Sequence, residues 1–282
     1  MLKLEYLFED KEVPALGALA DYDTLDFVSD GSHIYGEIMW PDSEFKDPRP
    51  CVILSHGFPG SARNDDISHA LCRIGCVVMV PHHRGAWGSE GKYLLSNCIE
   101  DAKNLAEYAR TPDFCGRYNV DPTKVFLAGH SMGGCTALHA GKNLPWLAGI
   151  VMITPFDPTV YLDSGQAEVL KNLLTQGKIM RSDGVEAIFE DISSHRDALR
   201  FATTYEQIKN RNVLFLVGTR DSITKRGVMI DPLWGRLKAG ETTAIHRLRE
   251  FPAEHGLLGS RIGCIREIAE FVCDCCNSSF LR

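Results

Sequence analysis

The chain has 282 residues, 44% of them hydrophobic and 24% charged, the balance of a globular chain able to bury one large core. Its formal net charge of −7 comes without a Lys/Arg block, which excludes the basic footprint a nucleic-acid binder needs and disfavours docking on an anionic membrane. The 10 cysteines are scattered and residues 1–10 turn acidic before an apolar signal core can form, so free thiols and a cytoplasmic location are expected.

In chain order, residues 24–28 and 33–39 flank Asp30-Gly31, a strong hairpin signal, and are expected to extend a sheet as antiparallel strands. From residue 50 onward, short apolar runs alternate with segments of helical spacing. That alternation predicts an α/β fold with a mostly parallel sheet and helices on both faces. The expected core strands lie at 51–55, 76–80, 124–128, 147–154 and 213–218, and the expected helices at 67–74, 98–109 and 132–143, the second of them closed by Pro112. Residues 244–251 are more polar, as an edge strand tends to be. A terminal helix over 262–273 places Ile265, Ile268, Ala269 and Val272 on one face. The stretch between 154 and 213 is too long for a simple loop. It carries helical patterns at 167–174, 185–192 and 198–208. The last predicts a crossover helix. The first two predict a small helical cap, inserted over 156–196 in a single domain spanning 1–282.

The motif Gly129-His130-Ser131-Met132-Gly133-Gly134 follows the strand Val125-Phe126-Leu127-Ala128 and opens the next helix. A serine hydroxyl is a weak nucleophile unless it is exposed and paired with a base. A sharp strand-to-helix turn exposes it, and glycines two before and two after allow the close backbone approach that the turn needs. With these residues the chain resembles the α/β-hydrolase family over roughly residues 24–276. Tyr118-Asn119-Val120-Asp121-Pro122 leading into the serine motif is similar to the prolyl-oligopeptidase and dienelactone-hydrolase neighbourhood. His56-Gly57-Phe58-Pro59-Gly60 and Arg84-Gly85-Ala86-Trp87-Gly88-Ser89-Glu90-Gly91 resemble small bacterial esterases, cinnamoyl and feruloyl esterases among them.

Acyl transfer builds negative charge on the former carbonyl oxygen, and two backbone N–H groups are expected to hold it. One is Met132, directly after the serine. The resemblance assigns the other to Phe58. The acid belongs at the end of a late strand, where the run 213–218 leads to Asp221. Its rival is Asp157, after the preceding strand. His255, just past the last strand and followed by Gly256, is the expected base, and the order Ser, Asp, His is the one this fold uses. His56 and His246 read as structural, His82 and His83 as packing or surface residues, and Arg84 as a cation bracing its loop. Cys273-Asp274-Cys275-Cys276 has no second Cys/His pair, so no metal is expected, and no phosphate-cradling loop implies a cofactor. The expected activity is hydrolysis of small carboxylic esters through an acyl-enzyme on Ser131, with a small-molecule ester as partner and neither nucleic acid nor membrane. A serine peptidase and a non-catalytic binding protein on the same fold are the alternatives.

Overall fold

The computed structural model describes residues 1–11 and 17–278. One eight-stranded sheet organises it, in the order β1-β2-β4-β3-β5-β6-β7-β8. The strands are β1 (Asp21–Ser29), β2 (Ser32–Trp40), β3 (Arg49–Ser55), β4 (Val77–Pro81), β5 (Val120–His130), β6 (Gly149–Ile153), β7 (Val213–Gly218) and β8 (His246–Phe251). β1 pairs antiparallel with β2 and β2 antiparallel with β4; every other pairing is parallel. The hairpin closes where Ser29 faces Ser32. Asp30 and Gly31 both take positive φ, 45° and 75°, as a two-residue turn matched to strand twist requires.

The central strands are buried on both faces, which is why they read as unbroken apolar runs. Cys51 and Ile53 of β3, Leu127 of β5 and Phe215 of β7 join one core. Val52 and Leu54, Phe126, and Leu214 and Leu216 point into the other. On the first side lie α2 (Leu95–Tyr108), α3 (Pro112–Tyr118) and α4 (Met132–Gly141). α1 (Asp65–Arg73) covers the second side together with the C-terminal helix, through Ile67 and Leu71 of α1 and Ile265, Ile268, Ala269 and Val272 from the far end of the chain. Burying each such aliphatic side chain contributes about 1.5–3 kcal/mol, so these two layers hold the sheet rigid beneath its loops.

Between β6 and β7 run α5 (Thr159–Asp163), α6 (Ala167–Leu174), a 3-10 turn Thr175–Ile179, α7 (Val185–Ser194), α8 (Arg196–Leu199), a 3-10 turn Phe201–Thr204 and α9 (Tyr205–Ile208). The continuous crossover helix expected over 198–208 is therefore broken. At Arg200 the backbone turns extended, with ψ 122°. Phe201 is fully buried and gives its N–H to the buried Asp157 carboxylate at 2.9 Å. A tertiary hydrogen bond and a sealed aromatic ring override the local helical pattern.

The remaining helices are α10 (Arg226–Met229), α11 (Asp231–Ala239) and α12 (Arg261–Asn277). α11, with Leu233 and Leu237 buried, forms much of the crossover to β8. The sequence analysis assigns no helix there; Pro232 sits in the first turn, where its missing N–H has no partner to lose. The same rule corrects Pro112, which opens α3 rather than only ending what precedes it, with Thr111 Oγ1 capping the Phe114 N–H at 3.3 Å. β8 is the edge strand expected, and its Arg247 and Arg249 turn to Asp274 and Glu267 of α12. Such charges discourage pairing with another chain. Among the described residues no helix is long and apolar enough to cross a membrane.

Candidate active site

The parallel strands end together on one edge of the sheet, so the loops after β3, β5, β6, β7 and β8 converge there. Ser131 occupies the turn from β5 into α4 with φ 57° and ψ −119°, a strained conformation for a side chain with a Cβ. Its surroundings hold it there. The Ser131 N–H donates to Ile153 O at 2.9 Å, and its carbonyl accepts from Gly134 at 2.9 Å and from Phe156 at 3.1 Å. Gly129 has to lack a side chain, because a Cβ would strike the Gly133 carbonyl as the strand doubles back into the helix.

His255 Nε2 lies 2.8 Å from Ser131 Oγ, and its Nδ1 lies 2.8 Å from Asp221 Oδ2. The three residues thus form one hydrogen-bonded chain. The second oxygen of Asp221 accepts the N–H groups of Ile223 at 2.8 Å and Thr224 at 2.9 Å. Burial alone would push the Asp221 carboxyl up. The His255 hydrogen bond and charge, with the two loop N–H groups, outweigh it and hold the carboxyl below the usual aspartate value. Asp221 therefore stays ionised against an imidazole whose Nδ1 must carry the proton, which leaves Nε2 free to face the serine.

The rival Asp157 is occupied elsewhere. Its oxygens take the Thr159 N–H at 3.0 Å, the Thr159 hydroxyl at 2.7 Å and the Phe201 N–H. Burial pushes its carboxyl up to about 6 despite these donors.

The loop after β3 lies against the serine turn. A Cβ on Gly57 would stand 3.1 Å from Ser131 Cβ and 3.0 Å from the His130 carbonyl, so Phe58 follows at the closest approach of the two loops. His56 fixes this loop: Nδ1 donates to Gly57 O at 2.7 Å and Nε2 accepts the His83 N–H at 3.2 Å. His83 in turn donates Nε2–H to the His56 carbonyl at 3.0 Å. Burial keeps both rings neutral, His56 well below its ordinary value and His83 at about 4. Arg84, buried between Asp101 and Asp30, braces the next loop, and His246 lies against the Leu237 carbonyl of α11. Among the described residues, no protein acceptor takes the N–H of Phe58 or Met132.

The sequence reading missed several residues that hold this arrangement. His130 donates Nε2–H to the His255 carbonyl at 2.9 Å, and Thr154 donates its hydroxyl to the same carbonyl at 2.8 Å. Thr224 Oγ1 ties the Asp221 loop to Thr154 O at 2.9 Å. His130 was visible inside the serine motif, but its partner lies 125 positions away, and no local pattern announces that. Over the serine, α6 presents Leu170, Leu173 and Leu174 to a cleft that also contains His255. The cysteine cluster 273–276 lies on α12, where burial pushes the Cys275 and Cys276 thiols up.

A mostly parallel sheet clasped by helices, with a strained serine between β5 and α4 and an Asp–His pair on the loops after β7 and β8, is the α/β-hydrolase fold. The family described as serine aminopeptidase, S33, matches residues 46–175. The monoglyceride lipase of Rattus norvegicus is 26% identical over 130 residues, a match spanning 45% of this chain and 41% of the relative. Among solved structures, brefeldin A esterase, a bacterial homologue of human hormone-sensitive lipase, superposes with a TM-score of 0.67 at 16% identity, over 96% of this chain and 81% of its own. A thermostable carboxylesterase cloned from a metagenomic library gives a TM-score of 0.67 at 17% identity, over 94% of this chain and 92% of its own.

Proposed function

We propose that this chain is a serine hydrolase that cleaves carboxylic esters through an acyl-enzyme on Ser131. The observation that carries the reading is the unbroken chain from Asp221 through His255 to Ser131, both links 2.8 Å, on a strained serine turn. Ser131 Oγ attacks the ester carbonyl carbon while His255 Nε2 takes its proton. The carbonyl π pair moves onto oxygen, where the free N–H groups of Phe58 and Met132 form the oxyanion hole. The intermediate collapses, the alkoxide leaves with the proton from His255, and the acyl group stays on Ser131. Water, activated by the same imidazole, then releases the acid. Asp221 completes the catalytic triad by holding the His255 tautomer and stabilising its protonated form. The helical segment 156–196 acts as a cap over the acyl group.

The match to serine aminopeptidases raises the peptidase alternative. A peptidase of that kind needs an anion for the free amino terminus of its substrate. Among the described residues no Asp or Glu lines the cleft over Ser131, and Asp221 is occupied by His255 and its own loop. The monoglyceride lipase, brefeldin A esterase and metagenomic carboxylesterase to which this chain is similar are named for ester hydrolysis.

A fluorophosphonate probe should label Ser131 stoichiometrically. Ser131→Ala should abolish the label and lower kcat on a p-nitrophenyl ester by about six orders of magnitude. Labelling that survives in the variant would refute the assignment, and aminoacyl p-nitroanilides cleaved faster than matched esters would favour the peptidase.

A further inference from the structure

We propose that the cleft over Ser131 accepts neutral acyl groups of at most about four carbons, and that α6 sets this limit, an inference that rests on the esterase reading. The cleft beside Ser131 and His255, open to solvent on one side, has a volume of about 90 Å³. Phe58, Phe156 and Ile223 wall it from the core loops, and Leu170, Leu173 and Leu174 close it from above. An apolar cavity of about 150 Å³ holds the six carbons of benzene, about 25 Å³ for each carbon. By that measure the space here holds about three to four carbons.

The limit is built in, because the roof is fastened down. Leu170 and Leu174 are buried, 0% and 2% exposed, so they already have their packing partners. Beyond α6, the 3-10 turn brings Gly177 against the Phe58 ring, so closely that a Cβ there would stand 3.0 Å from Cε2. The Phe58 ring rests on Tyr93, with centroids 5.4 Å apart. Arg181 then joins the loop after β4, donating its N–H to Gly85 O at 2.8 Å and accepting from Tyr93 N at 2.8 Å. On α7, Asp191 accepts the Ser96 N–H at 3.0 Å and its hydroxyl at 2.5 Å. Phe58 thus serves twice: its N–H borders the serine and its ring is clamped as a wall. Moving the roof aside for a longer chain would break several hydrogen bonds and expose leucines.

The charge of the acyl group follows from the same lining. Among the described residues no Lys, Arg, Asp or Glu faces the cleft, so a carboxylate or ammonium on the acyl chain would lose water without gaining a partner. The alcohol half has no such restriction, since it leaves through the open mouth, where Gln176 is exposed.

The test is kcat/KM for p-nitrophenyl acetate, butanoate, octanoate and dodecanoate, each assayed below the concentration at which it self-associates, with fluorophosphonate labelling of the same preparation. The intact chain should prefer acetate or butanoate and turn over octanoate about tenfold more slowly or worse, since each methylene that does not fit is worth about that factor. Leu173→Ala, at a half-buried position the fold tolerates, and Leu170→Ala should each raise the octanoate to butanoate ratio about tenfold. An intact chain that hydrolyses octanoate or dodecanoate as fast as butanoate, with Ser131 labelled, overturns the acyl limit and leaves the esterase reading standing. No hydrolysis of any ester and no label on Ser131 overturns both.

Discussion

Asp157 and Asp221 follow the ends of neighbouring parallel strands, β6 and β7, and each accepts two backbone N–H groups from its own surroundings. They differ in the remaining donor. For Asp157 it is the hydroxyl of Thr159, two residues on. For Asp221 it is the imidazole of His255, which arrives from the loop after β8. A hydroxyl brings no charge, so burial dominates at Asp157 and its carboxyl rises to about 6. An imidazole can become an imidazolium, and at Asp221 that prospect outweighs burial. The position after a strand therefore makes an aspartate available, and the loop that meets it decides whether it orients a base or pins a chain reversal.

The largest expected effect separates the two by activity. Asp221→Asn should lower kcat about ten-thousandfold on an activated ester, because the amide favours the wrong imidazole tautomer. Asp157→Asn should stay within about tenfold of the parent. Initial rates on purified, folded variants measure this, and an exchange of the two effects would move the acid to Asp157.

Stability should separate them in the opposite sense. Asp157→Ala leaves the Phe201 and Thr159 N–H groups buried without acceptors, at about 1–3 kcal/mol for each orphaned donor. Urea unfolding should show that loss, with the residual native enzyme still active. A variant as stable as the parent would mean that the break at Arg200 does not depend on Asp157.

A smaller effect tests what holds the base loop. His130→Leu removes one of the two donors to the His255 carbonyl and should lower kcat about ten- to a hundredfold with little change in KM. His130→Gln, which can restore an N–H donor, should recover most of the loss. If both variants are equally slow, His130 acts only through packing.

The finest comparison is in pH. Asp157 has a folded value of about 6, above the ordinary 3.8. Its contribution is fully present below 3.8 and is lost as pH rises through about 6. Asp221 is held below 3.8, so its contribution is present above that pH and is lost as pH falls through the depressed value. Unfolding free energies at pH 4 and pH 7 should therefore show the parent's margin over Asp157→Asn shrinking with pH. Its margin over Asp221→Asn should not shrink. Parallel pH dependences would contradict the contrast between the two carboxyls.

Much of the frame was legible in the sequence because its physics is local. Strands buried on both faces show as apolar runs, the hairpin shows as Asp30-Gly31, and the serine turn shows as glycines two before and two after Ser131. α12 shows because Ile265, Ile268, Ala269 and Val272 share one face. Elements whose stability is not local were missed or misread: α11 between β7 and β8, α3 opening on Pro112, and the break between α8 and α9.

By itself, then, the sequence determined the alternation of strand and helix, the place of the serine turn and the residue types able to form an acid, a base and a nucleophile, since each depends on periodicity or on neighbours within a few positions. Only the tertiary structure decided which aspartate meets His255, which side chains hold the His255 loop, and how much room α6 leaves above Ser131. Those facts rest on partners far apart in the chain: 34 positions from Asp221 to His255, 44 from Asp157 to Phe201 and 125 from His130 to His255. Folding brings such partners within hydrogen-bonding distance by burying the core between them, and a local pattern carries no record of that distance.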